Sequence, residues 1–404
     1  MKFYRLTPQQ RRDVLVKQGI ELDKIDAATL NQLNQLSENV VGELRLPVGL
    51  VQNLLVNGHS YWVPMATEEP SVVAAANHGS NIFSKCGGVI AQSKRQGIYG
   101  QIVLQVTTDF RPESLREQFP QLINLANREF ASLVKHGGGV KEIEMRQEDE
   151  LVYLQVLVDP AEAMGANKVN AIVEFLADQL AKMPEVNSKL FAILSNYPSQ
   201  LTTAQVKLPV NAVGGAEVAD KIALLSKIGQ HDVYRAVTNN KGIMNGVNAV
   251  LMATGNDERA VAAASGVLAS QSGQYTSLSK WEVQGDYLSG ELTLPLAIGT
   301  VGGSIKTRAD VQQNYRILGE KITAAELADV IAAVGLANNL AALLAITTDG
   351  IQEGHMKLQA RNLVANLSAT AQEKKQVLHL LTQNREYSEA AASKFLHQVR
   401  ERED

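Results

Sequence analysis

Four residues in this chain have types and surroundings suited to acid–base chemistry at a reacting oxygen. Lys241 lies in TNNKGIMNG, where glycines and asparagines crowd a cation that could stabilise an oxygen as it becomes negatively charged. Asp257 ends the following ATGND, Glu69 is the second acid of ATEEP, and His355 lies in EGHMK. We therefore consider an acid that gives a proton, a carboxylate that holds the lysine, and a histidine that protonates a leaving group.

Each of the four residues also has an ordinary structural interpretation. Apolar residues at helical spacing predict a helix that begins near Lys241, which would place the lysine in solvent. Asp257 suits the N-cap of the next helix, and a Glu-Glu-Pro triplet that contains Glu69 suits a helix start. A lone histidine such as His355 is usually a surface or packed residue.

The spacing of Lys241 and Asp257 limits any contact between them. With Asn239 or Asn240 as the cap, a continuous helix between the two residues spans about 24 Å, at 1.5 Å per residue. The two ends of one straight helix cannot meet. Either the chain doubles back, or two subunits of a symmetric dimer each supply one end.

Two glycine-rich segments are candidate anion-binding turns. EAMGANKVN, residues 162–170, opens a predicted helix after a strand, where a helix N-terminus can bind a diphosphate. PLAIGTVGGS, residues 295–304, is either a tightly packed turn or an anion-binding one. Neither segment contains the GxGxxG pattern of classical dinucleotide-binding folds.

The composition is that of an ordinary globular protein. The chain has 404 residues, 45% of them hydrophobic and 20% charged, which indicates two or three domains or one large domain with an insertion. A net charge of −4 argues against a nucleic-acid partner. The single cysteine, Cys86, excludes disulfides and thiolate metal cages within the chain, and it fits a reducing cytoplasm. The N-terminus does not read as a signal peptide, and we expect no membrane span.

Hydrophobic periodicity indicates the elements that must position these residues. It predicts helices over 7–18 and 22–36, followed by an irregular stretch and a short strand. YGQIVLQV predicts a strand near residue 98, and helices follow over 112–135 and 164–182, with a β-hairpin between them. This β-α-β-β-α order is typical of a ferredoxin-like α+β insert in a larger, mostly helical domain.

The predicted class is therefore α+β. The polar, helix-forming sequence after Thr370 predicts a loosely docked helical pair. The expected divisions are residues 1–97 and 197–370 for the two parts of the large domain, 98–196 for the insert, and 371–404 for the C-terminal segment.

Taken in order, the motifs resemble those of the bacterial class II hydroxymethylglutaryl-CoA reductase family. The matching pieces are ENVVG, ATEEPSVVAAA, EAMGAN, YRAVTNNKGIMNG, ATGND, PLAIGTVGG and GHM. They extend from residue 38 to residue 362, and seven motifs in the family's order make coincidence very improbable. The resemblance implies a large helical substrate domain, an inserted small nicotinamide domain that is not a Rossmann fold, and a mobile C-terminal segment that closes over the site.

The resemblance also implies residue roles. Lys241 would stabilise the thioester carbonyl oxygen, Glu69 would donate protons, Asp257 would hold both in a hydrogen-bonded network, and His355 would protonate the departing CoA thiolate. The substrate-binding candidates are Ser71, Arg235, Asn245, Asn338, Asn339 and Arg11, the last three as CoA contacts. The cofactor-binding candidates are Glu162, Met164, Gly165, Asn167, Arg128 and Phe130.

The implied reaction is a four-electron reduction. Hydroxymethylglutaryl-CoA and two reduced nicotinamides give mevalonate and free CoA, through a mevaldyl-CoA hemithioacetal and mevaldehyde. Coenzyme A enters as part of the substrate, and no metal is expected. The family's usual aspartate before Ala-Met-Gly is Glu162 here. The acid that NAD-preferring members use near the Gly-Gly-Gly turn corresponds to Phe130, with Arg128, Lys135 and His136 nearby, so NADPH is expected rather than NADH.

The implied partners are a small-molecule substrate and a second copy of the chain. The resemblance predicts a homodimer with interfacial active sites, leaves open a higher oligomer of dimers, and predicts neither a nucleic-acid nor a membrane partner. Two alternatives stay open. The enzyme could run oxidatively in mevalonate catabolism with NAD, or the chain could be a non-catalytic CoA-binding homologue.

Overall fold

The computed structural model describes residues 2–303, 305–348, 360–361 and 363–401. Within it, the chain divides into two compact units, Met1–Val48 and Gly49–Asp404. Each unit is described by itself.

The N-terminal unit contains two short helices. Helix α1 covers Pro8–Lys17, and Thr7 and Gln10 form a capping box at its start. Helix α2 covers Ala27–Leu36, and the Asp26 side chain accepts a hydrogen bond from Thr29 N. The first predicted helix is confirmed. The second begins later than predicted, because Asp26 is its N-cap and the residues before it are not helical.

A hairpin and a helix open the second unit. Strand β1 (Val48–Val56) pairs with strand β2 (His59–Ala66) through an Asn57-Gly58 turn. Both turn residues have positive φ angles, which is the conformation that Asn-Gly favours in tight hairpins. Helix α3 (Val72–Lys85) follows and packs against a long helix described below.

The next strand, β3 (Ile90–Arg95), leads into a compact segment with its own sheet. The segment contains β4 (Ile98–Val106), α4 (Pro112–Arg116), α5 (Phe119–Glu129), α6 (Ala131–Lys135), β5 (Gly139–Glu148), β6 (Leu151–Asp159), α7 (Ala166–Leu180) and β7 (Val186–Leu194). Its strands are all antiparallel in the order β5-β6-β4-β7. Helices α5 and α7 pack on this sheet, and the segment has its own hydrophobic cluster.

The single helix predicted over residues 112–135 is wrong, because three shorter helices occupy that range. Phe119-Pro120 starts α5, where a proline ring is compatible only with the first turn. Phe130 then leaves the helical region, with φ −99° and ψ 38°, and separates α5 from α6.

A second four-stranded sheet lies in the part of the chain that was expected to be mostly helical. It consists of β3, β8 (Gln200–Pro209), β10 (Tyr287–Pro295) and β9 (Ser279–Gln284), in that order and all antiparallel. Helices α8 (Ala216–His231), α9 (Val233–Ala253), α10 (Glu258–Ala269), α11 (Ala309–Leu318) and α12 (Ala324–Thr347) complete this region. The observed class is therefore mixed helix and sheet, with more strand outside residues 98–196 than was predicted.

Helix α12 is the central element of the larger core. Most of its residues are buried, and it packs against α3, α9 and the sheet. It is also the one helix in the described ranges that is long and apolar enough to cross a membrane by length and composition, and 72% of its apolar window is buried inside the protein. Its apolar surface is therefore used largely for internal packing.

The C-terminal segment forms the predicted helical pair. Helix α13 covers Ala371–Asn384 and begins with a capping box at Thr370, and helix α14 covers Glu389–Glu401. The pair has a hydrophobic cluster of its own. The Arg400 guanidinium donates to Glu373 Oε1 at 2.6 Å and joins the two helices.

Candidate active site

A cleft of about 390 Å³ brings together seven of the residues selected from the sequence. It lies beside α9, the second half of α12 and the turn before α3. The selected residues that line it are Glu69, Ser71, Arg235, Lys241, Asn245, Asn338 and Asn339. These residues come from three separate parts of the chain, so the fold concentrates polar groups that are far apart in sequence.

Lys241 and Glu69 form an ion pair in this cleft. The Lys241 Nζ donates to Glu69 Oε2 at 2.6 Å, and the Asn245 amide donates to Glu69 Oε1 at 3.4 Å. The Lys241 and Glu69 side chains are 60% and 37% exposed, so both groups can be reached by a ligand. The pair places a cation beside a carboxyl group that can donate a proton once it is protonated, as reduction of a carbonyl requires.

The predicted helix start near Lys241 is wrong. Helix α9 begins at Val233, and the Asp232 carboxylate caps it by accepting from Arg235 N at 2.7 Å. Lys241 therefore lies in the middle of the helix. Asn240 does not cap it either, because its side chain is buried and binds Thr276 O and Leu278 N.

The predicted helix start at Glu69 is also wrong. Ser71 has φ +77°, a left-handed conformation that a helix cannot include, and α3 begins only at Val72. Glu69 lies in the turn between β2 and α3, with its N–H bonded to Thr67 Oγ1 at 3.2 Å. The turn is supported by α12, because Asn338 Nδ2 donates to Val72 O at 3.3 Å.

Close packing of α3 on α12 sets the position of this turn. A Cβ atom added at Gly79 would lie 2.3 Å from the Ala337 carbonyl oxygen. Only glycine permits this approach of the two helices. A larger residue at Gly79 would push α3, and with it the Glu69 turn, away from the cleft.

Arg235 supplies a second cation to the cleft. Burial lowers the pKa of Arg235, and no carboxylate in the described ranges lies within ion-pair distance of it. Its Nε and the Asn338 Oδ1 are buried, and neither has a hydrogen-bond partner among the described residues. A cation without a paired acid in a polar cleft is suited to bind an anionic ligand.

Asp257 forms no hydrogen bond or ion pair with Lys241 or Glu69 among the described residues. Its carboxylate caps α10 by accepting from Arg259 N and Ala260 N, as its N-cap interpretation predicted. Burial raises the pKa of Asp257, but hydrogen bonds from Ala260 N and from Arg259 outweigh this effect and lower it overall. The end of α9 separates Asp257 from Lys241 by about 18 Å of helix, at 1.5 Å per residue.

The cofactor candidates of EAMGAN lie at the start of α7. Gly165 is the N-cap, with φ +100°, and Met164 and Asn167 flank it. Glu162 is engaged elsewhere, because its Oε2 accepts from Ala324 N at 2.6 Å in the first turn of α12. The carboxylate therefore ties this loop to the central helix.

The two glycine-rich segments meet in space. Ala163 and Val301 form a bridge, and a Cβ atom added at Gly299 would lie 2.3 Å from Met164 N. A cleft of about 610 Å³ lies beside them, lined by Glu162, Thr300, Val301, Lys306, Gln312, Tyr315, Arg316, Glu320, Lys321, Ile322 and Thr323. The cleft contains three cations and two acids, and its cations beside the turn at Thr300 and Val301 can bind a diphosphate-bearing ligand.

The remaining selected residues lie outside the first cleft. Phe130 packs edge-to-face on Phe175 at 5.9 Å between ring centroids, and Arg128 is exposed in the last turn of α5. Arg11 is buried in the N-terminal unit, where it donates to Asn34 Oδ1 at 2.7 Å. His355 falls outside the described residues.

Two residues that support the cleft have no functional assignment from the sequence. The sequence pattern indicates Asn239 only as a helix cap, and it gives no role to Trp281. The Asn239 side chain is buried and reaches Ser277, Ser279 and Asn339. A pair of adjacent asparagines inside an apolar helical pattern is a usable signal, since buried amides need specific partners.

Comparison with known proteins identifies the chain's relatives. The family model of hydroxymethylglutaryl-coenzyme A reductase matches residues 7–360. The 3-hydroxy-3-methylglutaryl-coenzyme A reductase of Archaeoglobus fulgidus is 36% identical over 399 residues, which cover 95% of this chain and 90% of the relative.

Solved structures agree with this relationship. The reductase of Streptococcus pneumoniae superposes with a TM-score of 0.75 at 37% identity, covering 98% of this chain and 99% of that one. A class II reductase structure from the same organism, bound to NADPH in open conformations, has a TM-score of 0.75 at 38% identity and covers 97% and 99% of the two chains.

Proposed function

The chain belongs to the hydroxymethylglutaryl-coenzyme A reductase family and is an NAD(P)H-dependent oxidoreductase, and on that premise we propose that the cleft around Lys241 is where its thioester substrate is reduced. The reaction converts 3-hydroxy-3-methylglutaryl-CoA to mevalonate and CoA. The observation that carries this assignment is the Lys241–Glu69 contact of 2.6 Å, with Asn245 beside it, in a cleft that also contains Arg235.

The cleft divides into a reacting end and a binding end. At the reacting end, Lys241 stabilises the carbonyl oxygen as charge develops on it, and Glu69 in its protonated form donates its proton to that oxygen and is left as the carboxylate that pairs with Lys241. At the other end, Arg235 and Ser71 hold the free carboxylate of the substrate, since Arg235 is a cation without a paired acid among the described residues. His355 is assigned to protonate the CoA thiolate.

The reduced nicotinamide, when bound, supplies the hydride. We assign its diphosphate to the turns around Gly165 and Gly299–Gly302, where backbone groups approach closely and Lys306 and Arg316 line the neighbouring cleft. NADPH is the proposed cofactor, because Phe130 corresponds to the position at which NAD-preferring family members carry an acid, and the nearby Arg128 is exposed. Cofactor binding is therefore the function that we assign to residues 98–196, and their separate hydrophobic cluster supports treating them as one domain.

We also propose that the protein is a homodimer whose active sites lie at the interface between the two subunits. Asp257 follows the far end of α9 from Lys241 and bonds Arg259 and Ala260 in its own chain, so we propose that a second copy supplies the Asp257 of each network. Two apolar side chains, Tyr234 and Val237, share the face of α9 with Lys241 and are 87% and 51% exposed. Contact with a second copy would bury these apolar side chains next to the reacting group.

The test is a direct assay of the purified protein. Oxidation of NADPH and of NADH is followed by absorbance with 3-hydroxy-3-methylglutaryl-CoA present, and mevalonate and free CoA are quantified. Lys241→Ala should abolish turnover while the protein stays folded. Lys221→Ala is the matched control, because Lys221 pairs with Glu217 on the exposed face of α8. Full activity of Lys241→Ala would refute the site, and no turnover with either cofactor would favour a non-catalytic role.

A further inference from the structure

A chain of buried side-chain hydrogen bonds leads to Arg235 from behind the cleft. The Trp281 indole N–H donates to Asn339 Oδ1 at 2.7 Å. Asn339 Nδ2 then donates to Asn239 Oδ1 at 2.8 Å, and Arg235 Nη2 lies 3.4 Å from the same oxygen. Trp281, Asn339 and Asn239, here called the amide relay, come from β9, α12 and α9.

Donor and acceptor chemistry forces the orientation of both amides. An indole nitrogen can only donate, so Asn339 must turn its oxygen towards Trp281 and its NH₂ towards Asn239. Asn239 must therefore present its oxygen to Asn339. A guanidinium also only donates, so this same oxygen is the correct partner for Arg235. The indole N–H of Trp281 at one end of the relay therefore determines that the Asn239 oxygen faces Arg235 at the other end.

The other side of Asn239 strengthens this orientation. Its Nδ2 donates to Ser277 Oγ at 2.6 Å and to Ser279 Oγ at 3.1 Å. Asn239, Asn339 and Trp281 are only 6%, 1% and 1% exposed, so water cannot replace a lost partner. A flipped amide would leave buried donors facing each other, which is costly in a dry environment.

The relay holds Arg235 with a neutral oxygen. No carboxylate in the described ranges lies within ion-pair distance of the guanidinium, and its Nε has no partner there. An aspartate in place of Asn239 would also accept the Arg235 hydrogen bond, but it would neutralise the cation. An amide supplies the position without the charge.

We propose that the amide relay is a positioning device that fixes the Arg235 guanidinium towards the cleft and leaves its full charge for the substrate's carboxylate. This inference rests on the proposed role of Arg235 in binding that carboxylate. Trp281, Asn339 and Asn239 are accordingly positioning residues, since they act through Arg235.

Trp281→Phe tests the orientation. It removes the indole donor and keeps an aromatic ring, so the Asn339 amide can flip, and its oxygen would then repel the Asn239 oxygen and displace the acceptor that faces the guanidinium. The KM for 3-hydroxy-3-methylglutaryl-CoA should rise about tenfold, as expected for a misplaced charged hydrogen bond, with the KM for NADPH unchanged. Ser226→Ala is the control, because Ser226 Oγ accepts from Trp281 N at 2.8 Å and touches no relay amide. It should lower the melting temperature without changing either KM.

Asn239→Asp tests whether the group that contacts Arg235 must be uncharged. The new carboxylate can accept from both Asn339 and Arg235, so these two contacts are kept and the charge is cancelled, whereas the donors to Ser277 Oγ and Ser279 Oγ are lost. The KM for the CoA substrate should rise at least as much as in Trp281→Phe, with the KM for NADPH unchanged in the folded variant. An unchanged KM in Asn239→Asp would overturn the inference.

Arg235→Ala distinguishes the proposed role of Arg235 in binding the substrate's carboxylate from the proposed role of the amide relay in positioning Arg235. If it leaves the substrate KM unchanged, the carboxylate role of Arg235 is wrong. If it raises the KM but Trp281→Phe behaves like Ser226→Ala, only the positioning role is wrong. If both hold, adding Trp281→Phe to Arg235→Ala should give no further rise in KM, because the relay acts through that one side chain.

Discussion

Mixing two inactive variants can show which subunit supplies each catalytic group. Lys241 and Glu69 touch within one chain at 2.6 Å, whereas Asp257 follows the far end of α9. If each site takes Lys241 and Glu69 from one subunit and Asp257 from the other, Lys241→Ala and Asp257→Asn damage opposite halves. A heterodimer of these variants then contains one doubly damaged site and one intact site.

The expected recovery follows from counting sites. Random exchange of equal amounts makes about half of the dimers hybrid, and half of their sites are intact, so activity returns to about one quarter of wild type. Helix α9 continues for about 18 Å from Lys241 to its end, which is farther than a lysine side chain reaches, and Asp257 follows that end. The assay is reduction of 3-hydroxy-3-methylglutaryl-CoA before and after subunit exchange under mild denaturant.

Glu69→Gln provides the matched control. Glu69 and Lys241 belong to the same half-site, so a mixture of Glu69→Gln with Lys241→Ala should stay inactive. Recovery of activity in this control would refute the proposed division of the site between two subunits. So would a lack of recovery when Lys241→Ala is mixed with Asp257→Asn and subunit exchange has been confirmed. The comparison separates a shared site from a chain reversal within one subunit.

Four further predictions follow from individual side chains. Phe130→Asp should lower the use of NADPH relative to NADH, because a carboxylate repels the 2′-phosphate. Phe130→Asn controls for the lost packing on Phe175 and should leave the ratio of NADPH to NADH use unchanged. Burial, with the charge of Glu326, raises the pKa of Asp329 to about 6, so the folded state loses stability as the pH rises from about 4 through 6. Asp329→Asn should therefore increase the free energy of unfolding at pH 7 by about 1–2 kcal/mol, after allowance for partial exposure, and change it little at pH 4 in denaturant titrations. Hydrogen bonds from Arg400 and Thr370 lower the pKa of Glu373 to about 2, so the stability that Glu373 contributes above pH 4.5 is lost as the pH falls towards 2. Glu373→Gln should therefore increase hydrogen exchange in the C-terminal helices at pH 7 but not at pH 2. His355→Gln should slow reduction of the thioester far more than reduction of supplied mevaldehyde, and equal losses would contradict a leaving-group acid.

Features that depend on neighbouring residues could be predicted from the sequence. Asp257 caps the helix that follows it, as predicted, because a side-chain oxygen two or three residues before a free N–H satisfies it locally, and Thr7, Asp26 and Thr370 cap their helices in the same way. The antiparallel hairpin of β5 and β6 was recognisable for the same reason, since alternating strands joined by a short turn carry their own register.

Features that depend on distant residues could not be predicted in this way. The sheet of β3, β8, β10 and β9 pairs Ile90 with Gln205, more than a hundred residues apart, and no local pattern specifies such a partner. The start of α9 was misplaced because Asn239 and Asn240 look like caps, although their amides bind loops and helices far along the chain. Local propensity gives way to tertiary hydrogen bonds at such positions.

Sequence and structure together restrict the ways in which Lys241 and Asp257 can contact each other. The motif spacing alone left open a chain reversal, but α9 is continuous from Val233 to Ala253, with Lys241 in its middle. The chain turns after Ala253 and α10 begins, where the Asp257 carboxylate accepts from Arg259 N and Ala260 N. We therefore propose that a network with both groups takes Asp257 from another copy of the chain, which would bury the exposed apolar side chains of α9 beside Lys241.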